Sequence, residues 1–325
     1  MILIFNFELT RILVTGATGF VGAHLTNKLL NEGNEVVTIV HDLHKVNGNT
    51  LKLLNIYDKT DKAIGSLTDE TFVKRVVSDY EVSIIYHLAA LPIVRVGNIS
   101  PVPIWATNLQ GTWNIMEAAK ESGASVFYLS TDKVYGHHGS IPYEEHFALN
   151  GLNIYDCSKA CADNIVRSYT KVYGIKTAIV RSCNIYGPGD LNSRLIPNTI
   201  RRCLKNKSPI IYEGIKYVRE WIYVDDAINA FLLVAKNLEK ESGDVYNIGT
   251  GFSADQTEVI PRILSYFPGI TSEIRKPLPY MKEEIPYQVL STKKIRKKLG
   301  WESKVSFDDG LAKVINWWRK HNHII

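Results

Sequence analysis

The sequence predicts a doubly wound α/β fold, a parallel sheet with helices on both faces. Three observations point to it. Apolar segments of strand length alternate with helix-periodic segments from residue 11 to residue 182. The strand segments are continuous apolar runs, as expected of strands buried on both faces. A glycine-rich turn joins the first strand to the first helix.

The elements follow in order. "RILVT" (11–15) reads as a short buried strand, and "FVGAHLTNKLLNEG" after it has helical spacing with a Gly near its end. "EVVTIV" (35–40) is a second strand, "DETFVKRVVSDY" (69–80) a helix and "VSIIYHLAA" (82–90) a strand. "TNLQGTWNIMEAAKESG" (107–123) is a helix and "SVFYLS" (125–130) a strand. The long helix "NIYDCSKACADNIVRSYTKVYG" (153–174) leads to "KTAIVRS" (176–182). Beyond residue 183 the pattern loosens into shorter elements between "GPGD", "KSPI", "FPGI" and "KPLPY", while "YVDDAINAFLLVAKNLE" (223–239) reads as a further sheet-covering helix. The expected division is a large domain of residues 11–182 with about 219–243, and a smaller C-terminal α/β lobe of 183–218 and 244–325.

Composition narrows the class. Of 325 residues, 45% are hydrophobic and 22% charged, as in an ordinary globular enzyme. The net charge of +5 is partly the "KKIRKK" run (293–298), read as a solvated helix face rather than a nucleic-acid surface. The four cysteines make neither a CxxC pair nor a disulfide framework, and no metal site is expected; Cys157 and Cys161, one helical turn apart, lack matching His or acidic ligands. The expected compartment is cytoplasmic, with reduced thiols. The apolar opening "MILIFNFELT" has no basic n-region or cleavage site and is too short for a bilayer. It reads as an extra edge strand or as a start site set too early.

"TGATGFVG" sets Gly16, Gly19 and Gly22 at G-x-x-G-x-x-G spacing between a strand and a helix. Glycines let the backbone turn sharply and approach a pyrophosphate, and the helix N-terminus offers N–H donors. A dinucleotide cofactor is expected. About 20 residues after the loop, Asp42 ends the second strand, where a carboxylate favours NAD over NADP; His41 and Lys45 flank it. Tyr155 and Lys159 in "YDCSK" stand at i and i+4 on the long helix. A nearby ammonium would lower the tyrosine pKa and make Tyr155 a base for an alcohol proton.

In order, "TGATGFVG", "YHLAA", "TNLQGTWNIMEAA", "YDCSK", "RSCNIYGPGD", "REWIYVDDAINA", "YNIGTG" and "KKLGW" run from residue 15 to about 301. With them the chain resembles an extended short-chain dehydrogenase/reductase, of the NAD-dependent nucleotide-sugar epimerase/dehydratase type. The resemblance implies a Rossmann-like domain that keeps NAD through a cycle and a lobe that holds a nucleotide-diphosphate sugar. It implies cofactor contacts at Gly16, Thr18, Gly19, Phe20, Val21, Gly22, Ser66, Leu67, Leu88, Ala89, Ala90, Asn108, Tyr155 and Lys159, the last two being also the catalytic pair. Thr131 would bond the reacting hydroxyl, and Asn184, Arg194 and Arg219 would meet the sugar diphosphate. It also implies a homodimer formed through the long helix, with neither nucleic acid nor membrane as partner. Two positions depart from the family pattern. "GSL" puts Ser66, followed by Leu67, where an adenine-reading Asp is common, and Leu91 follows "HLAA" in place of Gln.

The stretch "LSTDKVYG" (129–136) sets Thr131, Asp132 and Lys133 at a strand end. "TDK" resembles the Lys variant of the sugar 4,6-dehydratase motif, seen in CDP-glucose and some UDP-N-acetylglucosamine dehydratases, and the wider sequence is most like CDP-glucose or GDP-mannose 4,6-dehydratases. Elimination of water needs an acid beside C6 and a base for the C5 proton. Asp132, protonated through burial, is the candidate acid, and Lys133 the candidate base. A charged Lys133 would oppose the role of Asp132, and Glu144 or Glu145 are further candidates. The same scaffold also suits an epimerase or a non-catalytic dinucleotide sensor, and Asp132 with Lys133 also suits a structural ion pair.

Overall fold

The computed structural model describes residues 11–41, 49–92, 100–278 and 284–324. Asp42 and the apolar opening segment lie outside the described residues. The first elements are β1 (Arg11–Thr15), α1 (Phe20–Asn31), β2 (Glu35–Val40), β3 (Asp61–Ile64), α2 (Glu70–Asp79), β4 (Ile84–His87), α3 (Gly111–Ser122), β5 (Ser125–Thr131), α4 (Ile154–Tyr173) and β6 (Thr177–Ser182). There follow β7 (Asn184–Tyr186), α5 (Leu195–Leu204), β8 (Ile210–Tyr212), β9 (Val218–Tyr223), α6 (Val224–Lys236), β10 (Asp244–Ile248), β11 (Ser253–Ala254), α7 (Gln256–Leu264), β12 (Glu273–Arg275), β13 (Tyr287–Gln288), α8 (Lys293–Leu299) and α9 (Phe307–Lys320).

A seven-stranded sheet runs in the order β10-β6-β5-β4-β1-β2-β3. β1 lies parallel to both β2 and β4, with Ile12 opposite Val36 and Ile84. The order reverses between β1 and β4, and at such a switch point the strand ends open the ligand crevice of α/β sheets. The apolar runs explain the sheet: Leu13, Val14, Ile85, Val126 and Phe127 are fully buried. Two strands carry no apolar run and were not foreseen. β3, "DKAI", is an edge strand that buries only Ala63, and β10, "DVYNI", starts with Asp244 and is interrupted by Asn247. The strand expected over 82–90 stops at His87, because Leu88–Ala90 leave the sheet as a loop.

Local chemistry sets the helix ends. Asp69 caps α2 by accepting the Phe72 N–H at 3.0 Å, and Ser306 caps α9 by accepting from Asp309. α8 is the expected basic helix, with Ile295 buried beneath it and Lys294 and Lys298 both paired to Asp244. Among the described residues no helix is long and apolar enough to cross a membrane.

The chain divides into two compact units. One holds the described residues of Met1–Leu129, Cys161–Ala178 and Leu238–Gly243, and the other those of Ser130–Ala160, Ile179–Asn237 and Asp244–Ile325. In the second unit β9 pairs with β7, β11 and β13. Buried Glu220 on β9 ties this sheet together. Its Oε1 accepts the N–H groups of Thr250 (2.7 Å) and Gly251 (2.6 Å), and its Oε2 that of Leu290 (2.8 Å). A Cβ on Gly249 would fall 2.3 Å from the Glu220 carboxylate, so only glycine fits there.

Burial pushes Glu220 up from 4.5 to about 7, against the pull of its three N–H donors. A carboxyl raised on folding stabilises the native state fully below its unfolded value and loses that contribution as pH rises through the folded value. Unfolding free energy is therefore expected to fall between about pH 4.5 and pH 7, Glu220 accounting for on the order of 3 kcal/mol. Urea denaturation across that range checks it, and Glu220→Gln should flatten the slope.

Candidate active site

The glycine loop leaves β1 through Gly16, whose φ of +74° is left-handed. A Cβ on Gly16 would meet the Ala89 nitrogen at 2.8 Å, and one on Gly22 would meet the Gly16 oxygen at 2.2 Å. The loop is thus packed against both α1 and the 88–90 segment, a cradle that side chains would fill. α1 starts at Gly19 with no side-chain cap and no acidic residue in its first turn, which suits an anionic group. The residues present fit a dinucleotide. Thr18 and Val21 are half-buried on this turn, and Phe20 is buried with its ring edge-on to His24 at 5.3 Å.

A chain of hydrogen bonds fixes the 88–91 segment beside the loop. The Thr112 hydroxyl donates to the Asn108 carbonyl at 2.6 Å, so His87 Nε2 donates to Thr112 at 3.0 Å. His87 Nδ1 then accepts the Thr15 hydroxyl at 2.8 Å, and Thr15 Oγ1 accepts the Ala89 N–H at 3.1 Å. Asn108 Oδ1 accepts the Leu91 N–H at 2.8 Å. Buried Asn108 therefore supports the backbone around Leu88–Ala90. Ser66 and Leu67 lie in the turn after β3. The Ser66 hydroxyl bonds Thr68 at 2.8 Å, and the Leu67 carbonyl accepts from Asn114 at 2.8 Å.

In the second unit, β5 ends at Thr131, whose side chain caps the short turn Asp132–Tyr135. The Thr131 hydroxyl donates to Asp132 Oδ1 at 3.0 Å and also bonds the Tyr155 phenol. Tyr155 is buried near the start of α4, with buried Lys159 one turn along. The fold thus joins three of the expected residues, Thr131, Asp132 and Tyr155. Asp132 is buried, and among the described residues its Oδ2 has no hydrogen-bond partner. Burial raises the Asp132 pKa, opposed by Lys133, Arg219 and Thr131. Asp132 therefore tends toward the neutral acid.

Tyr155 departs from expectation. Burial pushes its phenol up, Arg194 pulls it down, and Asp156 and Asp132 push it up again. Desolvation outweighs the cations nearby, so in the free protein Tyr155 is a neutral phenol. Arg194, at the start of α5, belongs to the electrostatic surroundings of Tyr155. Asn184 on β7 donates to the Glu220 carbonyl at 3.2 Å.

Two residues of this cluster were not foreseen. Glu284 Oε2 accepts from Lys133 Nζ at 2.9 Å and from Arg219 Nη2 at 3.1 Å. Burial alone would raise Glu284, but Lys133 and Arg219 together hold it below the ordinary carboxylate value. Asp156 is buried with Oδ1 unpartnered among the described residues, and burial takes it up to about 6. Asp156 was visible inside "YDCSK", whereas Glu284 lies 151 residues from Lys133 and carries no local signal. Glu144 and Glu145 are engaged elsewhere. Glu144 is paired with His146 and Lys293, each at 3.5 Å, and Glu145 Oε1 accepts the Asn247 N–H at 2.9 Å.

Residues 12–249 match the model of the NAD dependent epimerase/dehydratase family, and the chain belongs to that family. Low-salt glycan biosynthesis protein Agl12 of Haloferax volcanii is 33% identical over 94% of this chain and 98% of its own length. The dTDP-glucose 4,6-dehydratase DesIV of Streptomyces venezuelae, solved with NAD bound, superposes with a TM-score of 0.87 at 29% identity, covering 97% of this chain and 98% of that one. The UDP-glucose 4-epimerase of Thermotoga maritima, solved with UDP-glucose, gives 0.87 at 26% identity over 96% and 100%.

Proposed function

We propose that the protein is a nucleotide-sugar 4,6-dehydratase, converting an NDP-hexose to the NDP-4-keto-6-deoxyhexose. The observation that carries this reading is the buried, partly unpartnered carboxyl of Asp132, tied through Thr131 to Tyr155. An epimerase needs one proton acceptor at C4, while elimination needs a separate acid near C6. NAD held by the glycine loop would supply a hydride acceptor for oxidation at C4 and the hydride that returns at C6. Tyr155 accepts the C4 hydroxyl proton, with Thr131 aligning that hydroxyl and Lys159 stabilising the phenolate. The C4 ketone acidifies C5, and Asp132 protonates the C6 hydroxyl so that water leaves; Lys133, the base expected from the sequence, is held as an ammonium by Glu284, so the C5 proton goes to a base other than Lys133.

In this reading residues 11–182 with about 219–243 bind NAD through the glycine loop, Ser66, Leu67, Leu88–Ala90 and Asn108. Residues 183–218 and 244–325 hold the sugar diphosphate through Asn184, Arg194 and Arg219. The working form is a homodimer. Support comes from apolar side chains exposed on α3 and α4, namely Trp113, Val172 and Tyr173. Sedimentation showing monomer alone would oppose the dimer.

The test of function is product mass. Protein and NAD are incubated separately with CDP-glucose, UDP-glucose, UDP-N-acetylglucosamine, dTDP-glucose and GDP-mannose. Loss of one water from one of them supports the dehydratase. A product of unchanged mass and altered stereochemistry would favour the epimerase, for which the likeness to the Thermotoga enzyme speaks.

A further inference from the structure

The motif "TDK" contains a conflict, because an ammonium adjacent in sequence to Asp132 should ionise the acid that elimination requires. Glu284 resolves it. Lys133 Nζ is directed to Glu284 Oε2 at 2.9 Å, and Arg219 converges on the same oxygen at 3.1 Å. All three side chains are largely buried, with exposures of 17% for Lys133, 13% for Arg219 and 26% for Glu284. Among the described residues the Asp132 carboxyl bonds the Thr131 hydroxyl and a backbone N–H, and its Oδ2 has no partner.

We infer that Glu284 is a positioning residue of the elimination. Its carboxylate pairs the two cations on one oxygen, so that neither pairs with Asp132, which is thereby left as the proton donor. The inference rests on the dehydratase reading for its role in turnover, while the charge placement can be tested without substrate.

The groups facing Asp132 define what should follow if Glu284 is lost. The cations are Lys133 and Arg219. The groups that carry negative charge when ionised are Tyr155, Asp156, Glu220, Cys183 and Tyr143, each of which feels Asp132. Without Glu284 both cations lose their shared anion, and the buried carboxyls that feel Lys133 and carry an oxygen without a partner among the described residues are Asp132 and Asp156. An opposite charge within a few ångströms lowers a carboxyl pKa by about 1–3 units.

The experiment is the Glu284→Gln variant of the full chain, read in two ways. The first follows the Asp132 carboxyl by carbon-13 NMR of aspartate-labelled protein, assigned by the signal missing from Asp132→Asn. The expected result is a downward move of its titration by about one unit or more. The second reads turnover on the substrate identified by product mass. The alkaline limb of the dehydration rate should move down by the same amount, costing about 10-fold in rate on that limb. Transient reduction of the nicotinamide, which reports C4 oxidation, should stay within about 3-fold, because Tyr155 and Thr131 are untouched. A merely structural Glu284 would lower both steps together and leave the Asp132 titration in place. An Asp132 titration unchanged in Glu284→Gln overturns the inference. Should that variant not fold, Glu284→Asp replaces it, with a smaller shift of the same sign expected and no shift overturning the proposal. If the wild type dehydrates no nucleotide sugar, the functional reading falls while the titration still decides the charge placement.

Discussion

Tyr155→Phe is expected to slow C4 oxidation by about 10³-fold or more while leaving the fold in place. Phe keeps the ring in its buried site but offers no oxygen to receive the C4 proton, and hydride cannot leave C4 without that proton transfer. The loss should appear in the first half-reaction, as absent transient nicotinamide reduction. The bond to Thr131 is also lost, at a stability cost of about 1 kcal/mol. NAD binding measured by titration should change little, since the glycine loop and the Thr15–His87–Thr112 chain are intact. Normal nicotinamide reduction in this variant would remove Tyr155 from the chemistry.

Asp132→Asn separates the two halves of the reaction. Asparagine has nearly the same shape and can accept the Thr131 hydroxyl, but it cannot donate an acidic proton. Dehydration is expected to fall by about 10²–10³-fold, with C4 oxidation retained, so that reduced nicotinamide accumulates on mixing with substrate. The variant should also alter the pH dependence of stability. Burial raises the Asp132 pKa on folding, so the wild type loses stability as pH rises through the folded value. Asn does not titrate, so the variant should gain relative to wild type on the alkaline side, as thermal unfolding across pH would show. Unchanged dehydration would exclude Asp132 as the acid.

Much of the fold was legible because burial on both faces writes continuous apolar runs. β1, β2 and β6 fall within a residue of their expected ends. β3 and β10 were not legible because an edge strand and a polar-headed strand need no such run. The site divides in the same way. The glycine loop and the Tyr155–Lys159 spacing are local patterns that sequence displays directly. What decides protonation is not local. Tyr155 was expected to be acidified by Lys159, yet burial dominates, and burial belongs to the tertiary structure. The conflict between Asp132 and Lys133 was visible in the sequence, but its resolution by Glu284 depends on chain segments 151 residues apart.

The most direct test of the dehydratase reading is the fate of hydrogen at C4. The nucleotide sugar that reacts is prepared with deuterium at C4 and converted in ordinary water, and the product is read by NMR and mass spectrometry. The dehydratase reading predicts deuterium carried to C6 of a 4-keto product lighter by one water. Deuterium found back at C4, in a sugar of unchanged mass and inverted configuration, would contradict it and assign the chain to epimerisation.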